Sequence, residues 1–544
     1  MIRSRSVAVR WTAAALAVGL LAAGCGGHTE QPSSGPPVDS SDFVTDGTFA
    51  TVIAQDAGNL HPLTTNYVAT QIVDSYLYDS LLFFDPQTGK PKPYLAEKWS
   101  ETPTSASFTL RKGITCSDGS AFTAETVADN INWIVDPKNQ SPLRDSIIPS
   151  DARATADAAA NTITVTVPQP KSFLLFDVGA QQLGCQDVVD HPTKYKTAAL
   201  GTGLFQLTEV VPNDHYTLTR RDGYEWGPDG KTTSNTPGVP KTVTIKVIKN
   251  PSTVANLVLS GQLNMATVEG PDLARMKGLT SKSSPSMSGE LSFNQMKGKP
   301  TADPTVRTAL FQAVDWDAWT KVHTADQGSR AKTLSVLTPS PCQYDSIAGN
   351  LPGHDPAAAA AALDEAGWKK GSDGVRTKDG KQLALTVVFR NNSDSSSASA
   401  ELLQTAWQKL GAKITLKGGD ANFVLNETIS SKDPGSWDVT PGLTLQSNLP
   451  NIFVPYVTGD GPPKGTNYSS IDNPEYAAAA TKADRLAGDQ SCAAWAEADA
   501  SLIKDLNLVP ISVTPTKIFF NGASSIYEPL TSMIPGPAVR VVAK

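Results

Sequence analysis

The chain contains 544 residues and carries a formal net charge of −7 at pH 7. A chain of this length exceeds what one hydrophobic core usually supports, so we expect more than one domain. The acidic balance argues against a nucleic-acid partner, and no apolar run after residue 24 is long enough to span a bilayer.

The first 24 residues have the pattern of a targeting segment. Arg3, Arg5 and Arg10 precede a short apolar stretch at 11–21, and small residues lead directly into Cys25. The stretch is too short to cross a bilayer and its end resembles a bacterial lipobox, so we predict a lipoprotein signal peptide at 1–24 and lipidation of Cys25. An ordinary secretory signal that contains a cysteine is the alternative. Because the segment has three arginines and no acidic residue, its removal takes the net charge from −7 to −10.

Residues 25–42 are rich in Gly, Ser and Pro, and we predict that they form a disordered tether. After the tether, the sequence contains both strand and helix patterns. Period-two patterns predict strands at 49–55, 108–111, 162–167, 216–220, 243–248, 291–294, 383–389 and 412–416. Helical spacing predicts helices at 70–84, 95–99, 124–136, 253–260, 306–314, 356–366, 398–410, 474–486 and 491–505, with caps at Thr123, Ser252 and Asp303.

Motifs of enzymes are absent from the sequence. There is no G-x-S-x-G, H-E-x-x-H or phosphate-binding loop, and no two of the six histidines lie four residues apart. The sequence therefore predicts no catalytic residue, no metal site and no cofactor.

The stretch from Tyr94 to Asn130 carries the most specific pattern of the chain. It contains L-A-E-x-W followed by L-R-K-G-hydrophobic-x-x-S-D-G-x-x-x-T-A. Shorter motifs follow the same family order at Asn59–Pro62, Gly201–Phe205, Leu291–Asn294 and Asp355–Trp368. Together they resemble solute-binding protein family 5, the oligopeptide- and dipeptide-type substrate-binding lipoproteins of ABC importers, over roughly residues 49–520.

This resemblance implies an α/β fold of the periplasmic-binding-protein type II class, with two lobes, a hinge and an inserted subdomain in the first lobe. Lobe I would comprise residues 43–62, 198–290 and 514–544, the inserted subdomain 63–197, and lobe II 291–513. It also implies a monomeric receptor, held by its lipid at the extracytoplasmic face of the bacterial cell membrane. The receptor would capture a peptide or peptide-like solute between the lobes and deliver it to ABC permease subunits, without being an enzyme.

Four cysteines remain after the signal peptide: Cys116, Cys185, Cys342 and Cys492. An even count in an exported chain favours two disulfides, with three possible connectivities, over free thiols. The implied domain boundaries favour Cys116–Cys185 and Cys342–Cys492, because each of these pairs lies within one folding unit. No C-x-x-C spacing exists, so we do not expect a zinc site.

The resemblance also suggests which loops bind the ligand. We expect ligand contacts from Gln55, Asp56, Asn59, Asn294, Arg390, Asn391, Asn392, Thr444, Gln446, Ser447 and Asn448. Oligopeptide binders hold the peptide's ammonium group with an acidic residue that would fall near Ser447, yet no carboxylate lies between Asp438 and Asp460. The sequence therefore predicts weak dependence on a free α-amino group, while Arg390 takes a carboxylate or phosphate.

Three alternatives remain open at this level. The first is a regulatory lipoprotein of the same fold that acts in envelope biosynthesis. The second is a receptor for an oligosaccharide or another non-peptide solute, which the amide and hydroxyl groups of the loop 443–450 would suit. The third is a secreted hydrolase, which the absence of a nucleophile–base motif argues against.

Replacement of Cys25 by Ala is expected to release the protein into the medium or to leave it unprocessed, because the thiol that would carry the lipid is gone. Membrane fractionation and the mass of the mature chain measure this outcome. Normal processing with full membrane retention of the Cys25→Ala variant would contradict lipidation at Cys25.

Overall fold

The computed structural model of the protein describes residues 42–531 and 533–543. The predicted signal peptide, the lipidation site at Cys25 and residues 25–41 of the predicted tether lie outside this range. Within the described range, no helix combines the length and the apolar character that a membrane span requires.

Strands and helices alternate along the described chain. The part up to residue 293 holds β1 (Thr48–Ile53), α1 (Val68–Leu77), β2 (Leu82–Phe84), β3 (Pro91–Pro93), β4 (Ala96–Thr102), β5 (Ser105–Leu110), α2 (Ala124–Val135), β6 (Arg153–Asp157), β7 (Thr162–Thr166), α3 (Leu174–Gly179), α4 (Gln186–Asp190), β8 (Phe205–Val211), β9 (His215–Arg220), β10 (Thr242–Val247), α5 (Pro251–Leu259), β11 (Met265–Thr267) and β12 (Thr280–Phe293). The remainder holds α6 (Pro304–Gln312), α7 (Trp316–His323), β13 (Ser329–Arg330), α8 (Pro356–Glu365), β14 (Lys369–Lys370), β15 (Arg376–Lys378), β16 (Lys381–Gln382), β17 (Ala384–Arg390), α9 (Asp394–Leu410), β18 (Lys413–Gly419), α10 (Ala421–Glu427), β19 (Val439–Thr440), α11 (Val454–Val457), α12 (Pro474–Asp484), α13 (Cys492–Lys504), β20 (Leu508–Phe520), β21 (Ala523–Ser525) and β22 (Val539–Val541).

Two sheets organise the molecule. The lobe I sheet has the strand order β1-β10-β9-β8, and β1 runs parallel to β10. The lobe II sheet has the order β11-β20-β12-β19-β17-β18, in which β17 runs parallel to both β18 and β19. Each sheet has its own buried apolar cluster, with Phe49 and Ile245 in the first and Leu291 and Val387 in the second.

Two long antiparallel strands, β12 and β20, connect the lobes. They pair from Thr280 opposite Phe520 to Ser292 opposite Leu508. The C-terminal end of β20 pairs with β11, which contacts lobe I because Thr51 Oγ1 donates to Met265 O at 3.1 Å. The C-terminal end of β12 pairs with β19 in lobe II. The predicted lobe boundaries at 290/291 and 513/514 both fall within these two strands.

The region predicted as the inserted subdomain contains a four-stranded sheet of its own, with the order β4-β5-β7-β6. Helix α2 begins as predicted, because the Thr123 side chain accepts a hydrogen bond from Thr126 N. The helix covers this sheet with Val127, Ile131 and Ile134, all of which are buried.

Two predicted helices are wrong. The segment 95–99 is not helical, because residues 96–99 belong to strand β4, in which Trp99 lies opposite Phe108 of β5. Helix α1 ends at Leu77 instead of reaching residue 84, because residues 82–84 form β2 against β3. Both segments contain acceptable helix formers, and pairing with a strand distant in sequence overrides that local preference.

Two predicted helix starts are also corrected. Helix α5 is capped by Asn250, whose side chain accepts from Thr253 N at 2.9 Å, whereas Ser252 Oγ donates to Asp272 Oδ2 at 2.7 Å. Helix α9 begins at Asp394 rather than 398, because Ser393 caps it. The loop between β17 and α9 is therefore shorter than predicted.

Both predicted disulfides are confirmed. Cys116 pairs with Cys185 at a Cα–Cα distance of 6.2 Å, and Cys342 pairs with Cys492 at 5.2 Å. The first bond lies in the inserted subdomain, and the second joins the segment after β13 to the start of α13 in lobe II.

Apart from β12 and β20, Ser172 and Phe173 of the inserted subdomain contact lobe II directly. We call these two residues the bridging segment. Ser172 Oγ donates to Ala483 O at 3.0 Å, and Gly488 N donates to Ser172 O at 2.6 Å. Trp495 Nε1 donates to Ser172 Oγ at 3.1 Å. Phe173 is 1% exposed and packs into the lobe II cluster that contains Trp495. The lobes therefore meet at a place remote in sequence from β12 and β20.

Replacement of Cys342 and Cys492 by Ser is expected to lower the free energy of unfolding by about 2–4 kcal/mol, because the bond restricts a long loop in the unfolded chain. The residues are 150 positions apart. Urea unfolding of the double variant and of the unchanged protein under non-oxidising, non-reducing conditions measures the difference. Equal unfolding midpoints would contradict this stabilising role.

Candidate functional site

The loop after β1 carries the lobe I residues of the predicted site. Gln55 is exposed, and its side-chain oxygen accepts a hydrogen bond from the Tyr67 hydroxyl. Tyr67 is itself 42% exposed. Asn59 is tied to its own turn, because its amide nitrogen donates to Thr64 Oγ1 at 2.9 Å. Gln55 and Tyr67 thus present an amide and an aromatic ring to solvent beside the end of β1.

Asp56 fixes the position of this loop within lobe I. Its Oδ1 accepts hydrogen bonds from the Tyr216 hydroxyl and from Gly58 N at 3.0 Å, and its Oδ2 accepts one from Asn213 N. Burial raises the pKa of Asp56, but these hydrogen bonds outweigh burial, so the pKa lies below its ordinary value. The carboxylate is therefore occupied by lobe I itself.

Arg390 ends β17 at the corresponding edge of lobe II. It is half-buried, and its Nε has no hydrogen-bond partner in the described part of the chain. The pKa of Arg390 lies below its ordinary value, because the effect of burial exceeds the opposing effect of the nearby Glu290. Asn391 and Asn392 follow, and both are exposed. Gly442 passes so close that a Cβ added to it would lie 2.8 Å from Arg390 N.

The loop 441–448 after β19 therefore lies directly against Arg390. Gln446 is exposed, yet its amide holds the backbone of β12: Nε2 donates to Met287 O at 2.7 Å, and Oε1 accepts from Met287 N at 3.1 Å. Thr444 is half-buried in the same loop. Gln446 therefore attaches this loop to the backbone of β12.

Two other residues of the loop are used inside the protein. Ser447 is buried, and its hydroxyl bonds the backbone of Leu449 in the same turn. Asn448 Nδ2 donates to Pro339 O at 2.9 Å. Both side chains fix the loop conformation.

The structure separates Asn294 from the other predicted residues. Its side chain is fully buried, and Nδ2 donates to Pro434 O at 2.7 Å and to Trp437 O at 3.0 Å. Asn294 follows the end of β12, seven residues beyond Met287, which corresponds to about 23 Å of strand. It therefore lies at the opposite end of the lobe II sheet from Gln446.

Glu290 is a residue that the sequence analysis missed. Leu291 and Phe293 of β12 point into the lobe II core, so Glu290 points to the other face of the sheet. Glu290 is 0% exposed, and neither carboxylate oxygen has a hydrogen-bond partner among the described residues. Burial raises the pKa of Glu290 well above its ordinary value, although the Leu445 backbone and Arg390 oppose this effect.

A bulge in β12 orients this carboxyl group. The register with β20 shifts on both sides of Gly289, and bulges change the direction of nearby side chains. A Cβ added to Gly289 would lie 2.8 Å from the Trp319 ring, so a larger residue does not fit there. The pair Gly-Glu within a strand of small and apolar residues is the signal that could have identified Glu290 from the sequence.

Several of these groups lie at the carboxyl ends of the parallel strands. In open α/β sheets, ligands bind outside the carboxyl ends of the parallel strands. In lobe I that end carries the loop 55–59 after β1, and in lobe II it carries 390–392 after β17 and 441–446 after β19. Arg390, Gln446 and Glu290 are thus assembled at the lobe II edge, and Gln55 lies at the equivalent edge of lobe I.

A cavity of about 660 Å³ lies elsewhere, near Asn294, and is lined by residues that include Lys299, Asp303, Lys378 and Asp438. Four of its charged side chains pair with each other, because Lys299 lies 3.1 Å from Asp438 and Lys378 lies 3.9 Å from Asp303. We therefore place the candidate site at the carboxyl edge and not in this cavity. No group of three or more His, Cys, Asp or Glu side chains suited to a metal ion occurs in the described residues.

Two α/β lobes joined by two strands, with polar groups at the carboxyl edge of each sheet, define a two-lobed solute-binding protein. The model of the family described as bacterial extracellular solute-binding proteins, family 5 Middle, matches residues 90–465. The chain belongs to this family. The family and the periplasmic-binding-protein type II fold that the sequence predicted are therefore confirmed.

Individual relatives agree with this assignment. The nickel-binding periplasmic protein of Escherichia coli (strain K12) is 26% identical over 389 residues, which cover 67% of this chain and 70% of that protein. The dipeptide-binding protein of the same organism is 26% identical over 443 residues, which cover 74% and 77%. A crystal structure of a substrate-binding protein from Microbacterium hydrocarbonoxydans, complexed with 4-hydroxybenzoate hydrazide, matches with a TM-score of 0.65 and 25% identity over 91% of this chain and 100% of that chain. The names of these relatives all describe binding proteins. The chain is a substrate-binding receptor of the kind that serves ABC importers.

Asp56→Asn is expected to lower the free energy of unfolding by about 1 kcal/mol at pH 7, because an amide oxygen accepts these hydrogen bonds more weakly than a carboxylate. The pKa of Asp56 in the folded protein lies below 3.8. The contribution is therefore present above about pH 4 and is lost as the pH falls through the folded-state pKa.

Urea unfolding at pH 7 and at stepwise lower pH measures this difference, with the exposed Asp222→Asn as the matched control. The control should show no comparable pH dependence. A difference that grows on acidification would be inconsistent with the hydrogen bonds assigned to Asp56.

Proposed function

We propose that the protein is a lipid-anchored, monomeric receptor at the extracytoplasmic face of the cell membrane. It captures a peptide or peptide-like polar solute between its lobes and delivers it to the permease of an ABC importer. Cys25 carries the lipid and residues 25–42 form the tether in this proposal. The receptor performs no chemistry, and ATP is hydrolysed by other subunits of the importer.

The observation that carries the ligand class is the state of Arg390. Its guanidinium is half-buried at the carboxyl edge of lobe II, and its Nε has no partner among the residues described. A guanidinium is a planar fork of donors that matches a carboxylate, and a buried donor without a partner is costly. The terminal carboxylate of a peptide supplies such a partner, because it accepts two parallel hydrogen bonds.

The neighbouring groups suit the rest of a peptide. Gln55, Asn391, Asn392 and Thr444 offer amides and a hydroxyl that donate to and accept from peptide groups, and the exposed ring of Tyr67 offers an apolar surface. We assign supporting roles to Asp56, Asn59, Asn294, Gln446, Ser447 and Asn448, because their side chains bond to the protein itself. The similarity to a dipeptide-binding protein also supports this ligand class.

The transport role is tested by identifying and following the natural ligand. Native mass spectrometry of the protein isolated from its own cells reports a co-purified solute, and uptake of that solute, labelled, is then measured in cells with and without the gene. Loss of uptake on deletion is expected. Unchanged uptake together with altered envelope synthesis would instead identify a regulatory lipoprotein of this fold.

Arg390→Gln is expected to weaken binding of peptides with a free carboxyl terminus by roughly 30-fold or more, because a buried charged partner is lost. C-amidated peptides should lose little, since they present no carboxylate. Calorimetry with matched free and amidated tripeptides measures both effects. The exposed Arg153→Ala serves as a control for a lost positive charge. Equal binding of both peptides by the unchanged protein would remove Arg390 as the carboxylate anchor.

A further inference from the structure

Glu101 of β4 lies at the contact between the inserted subdomain and lobe II, remote from the ligand edge. We propose that Glu101 makes this contact a pH-dependent latch, which holds the lobes together while its carboxyl group is protonated and loosens when the group is ionised. The inference rests on the proposed function, because capture of a solute between lobes requires that they meet and separate. It adds a regulatory signal, the acidity of the surroundings, to the same receptor.

The first support is the position of Glu101 against a turn of lobe II, residues 488–491. Gly488 begins this turn, and a Cβ added to it would collide with Glu101 Oε1. Gly488 N also donates to Ser172 O at 2.6 Å, so the bridging segment holds the same turn. Glu101 is half-buried, although its neighbours Ser100 and Thr102 in β4 are exposed. Lobe II therefore partly covers the carboxyl group, and separation of the lobes would return it to water.

The second support is the sign of the charges that meet at this contact. Asp489 follows Gly488 in the turn of lobe II and is exposed. Asp484 ends helix α12 of lobe II, and its Oδ1 accepts hydrogen bonds from Ser172 Oγ at 3.1 Å and from Ser172 N at 3.4 Å. The contact thus brings acidic side chains of lobe II towards Glu101 of the inserted subdomain. When ionised, these groups repel one another.

The other charged groups around Glu101 do not provide a cation for it. On the neighbouring strand β5 the residue opposite is Ala106. Helix α3 packs against both β4 and the turn 488–491, and it contributes the half-buried Asp177. Lys171 before α3 and Arg485 after α12 are exposed, and neither lies within the 4.0 Å of an ion pair with Glu101.

These surroundings favour the protonated form of Glu101. Burial and the nearby Asp489 raise the pKa of Glu101 from 4.5 to about 7. Burial likewise raises the pKa of Asp484. Burial raises the pKa of Asp177 to about 8, although Lys171 opposes this effect. Asp177 is therefore largely uncharged over the range in which Glu101 titrates.

The raised pKa of Glu101 determines the direction of the pH dependence. Lobes in contact hold the proton of Glu101 more tightly than separated lobes, in which the carboxyl group has its ordinary pKa of 4.5. The contribution to the contact is therefore fully present below pH 4.5 and is lost as the pH rises through about 7. Within that interval, one proton changes the ratio of closed to open molecules by up to about tenfold per pH unit.

Distance measurements on the full-length protein without ligand test the latch. Spin labels are attached through an unnatural amino acid in place of the exposed Ala159 of the inserted subdomain and the exposed Ala361 of α8, so both disulfides stay intact. Pulsed electron spin resonance at stepwise pH gives the fractions of molecules with the shorter and the longer distance. We expect the ratio of closed to open molecules to fall by at least about tenfold between about pH 5 and pH 7.5.

Four variants separate Glu101 from the other acidic residues. Glu101→Gln should reduce the change in ratio to less than about threefold and keep the lobes together at high pH, because the amide stays neutral. Asp489→Asn should move the response to lower pH, because a like charge is removed. The exposed Glu97→Gln in the same strand and Asp177→Asn are the controls, and both should retain the response of the unchanged protein.

The remaining results contradict the latch or separate it from the receptor role. A ratio independent of pH in the unchanged protein overturns the latch, as does a full response in Glu101→Gln. Loss of the response in Asp177→Asn assigns the proton to α3 and also overturns it. If Glu101→Gln does not fold, an unchanged midpoint in Asp489→Asn contradicts the proposal. An intact pH response with unchanged solute uptake after gene deletion would overturn the proposed function but not the latch.

Discussion

The pairing of β12 with β20 is the constraint on which the rest of the structure depends. These strands of 14 and 13 residues belong to both lobes, so their register fixes the site as well as the connection. A shift by one residue would turn Leu291 and Phe293 out of the lobe II core, because the side chains of a strand alternate between its faces. The same shift would move Glu290 into that core. The bulge at Gly289 is where this rigid pair departs from regular pairing, and it lies next to the candidate site.

Some other buried charges of the protein have partners. Arg376 has a side chain that is 3% exposed, and it donates to Leu410 O and Trp368 O and pairs with Asp364. Asp79 is buried in lobe I and accepts hydrogen bonds from Trp226 Nε1 and the Tyr94 hydroxyl. The hydrogen bonds and the ion pair at these positions offset the free-energy cost of removing the charged groups from water. At the lobe II edge, Glu290 and the Nε of Arg390 lack such partners among the described residues.

The sequence predicts those features that depend on neighbouring residues. The cap at Thr123 and the Asp-Pro starts of α6 and α8 were predictable because a cap and the helix that it begins lie within four residues. The segment 95–99 was not, because β4 exists only through its pairing with β5. Arg390 could be predicted from its place at a strand end, whereas Glu290 could not, because its burial depends on a loop about 155 residues away in the chain. Local chemistry therefore gave the elements, and only the tertiary arrangement separated ligand groups from supporting groups such as Asn294.

The bridging segment stabilises the contact between the inserted subdomain and lobe II. Ser172 and Phe173 attach the inserted subdomain to lobe II with no ligand involved. Their burial therefore adds to the stability of the arrangement in which the lobes meet, and it raises the fraction of empty molecules that are already in this arrangement. Apparent affinity is the intrinsic affinity multiplied by that fraction. Substitutions at an apolar contact far from the ligand can thus tune the working concentration range of the receptor while its selectivity stays unchanged.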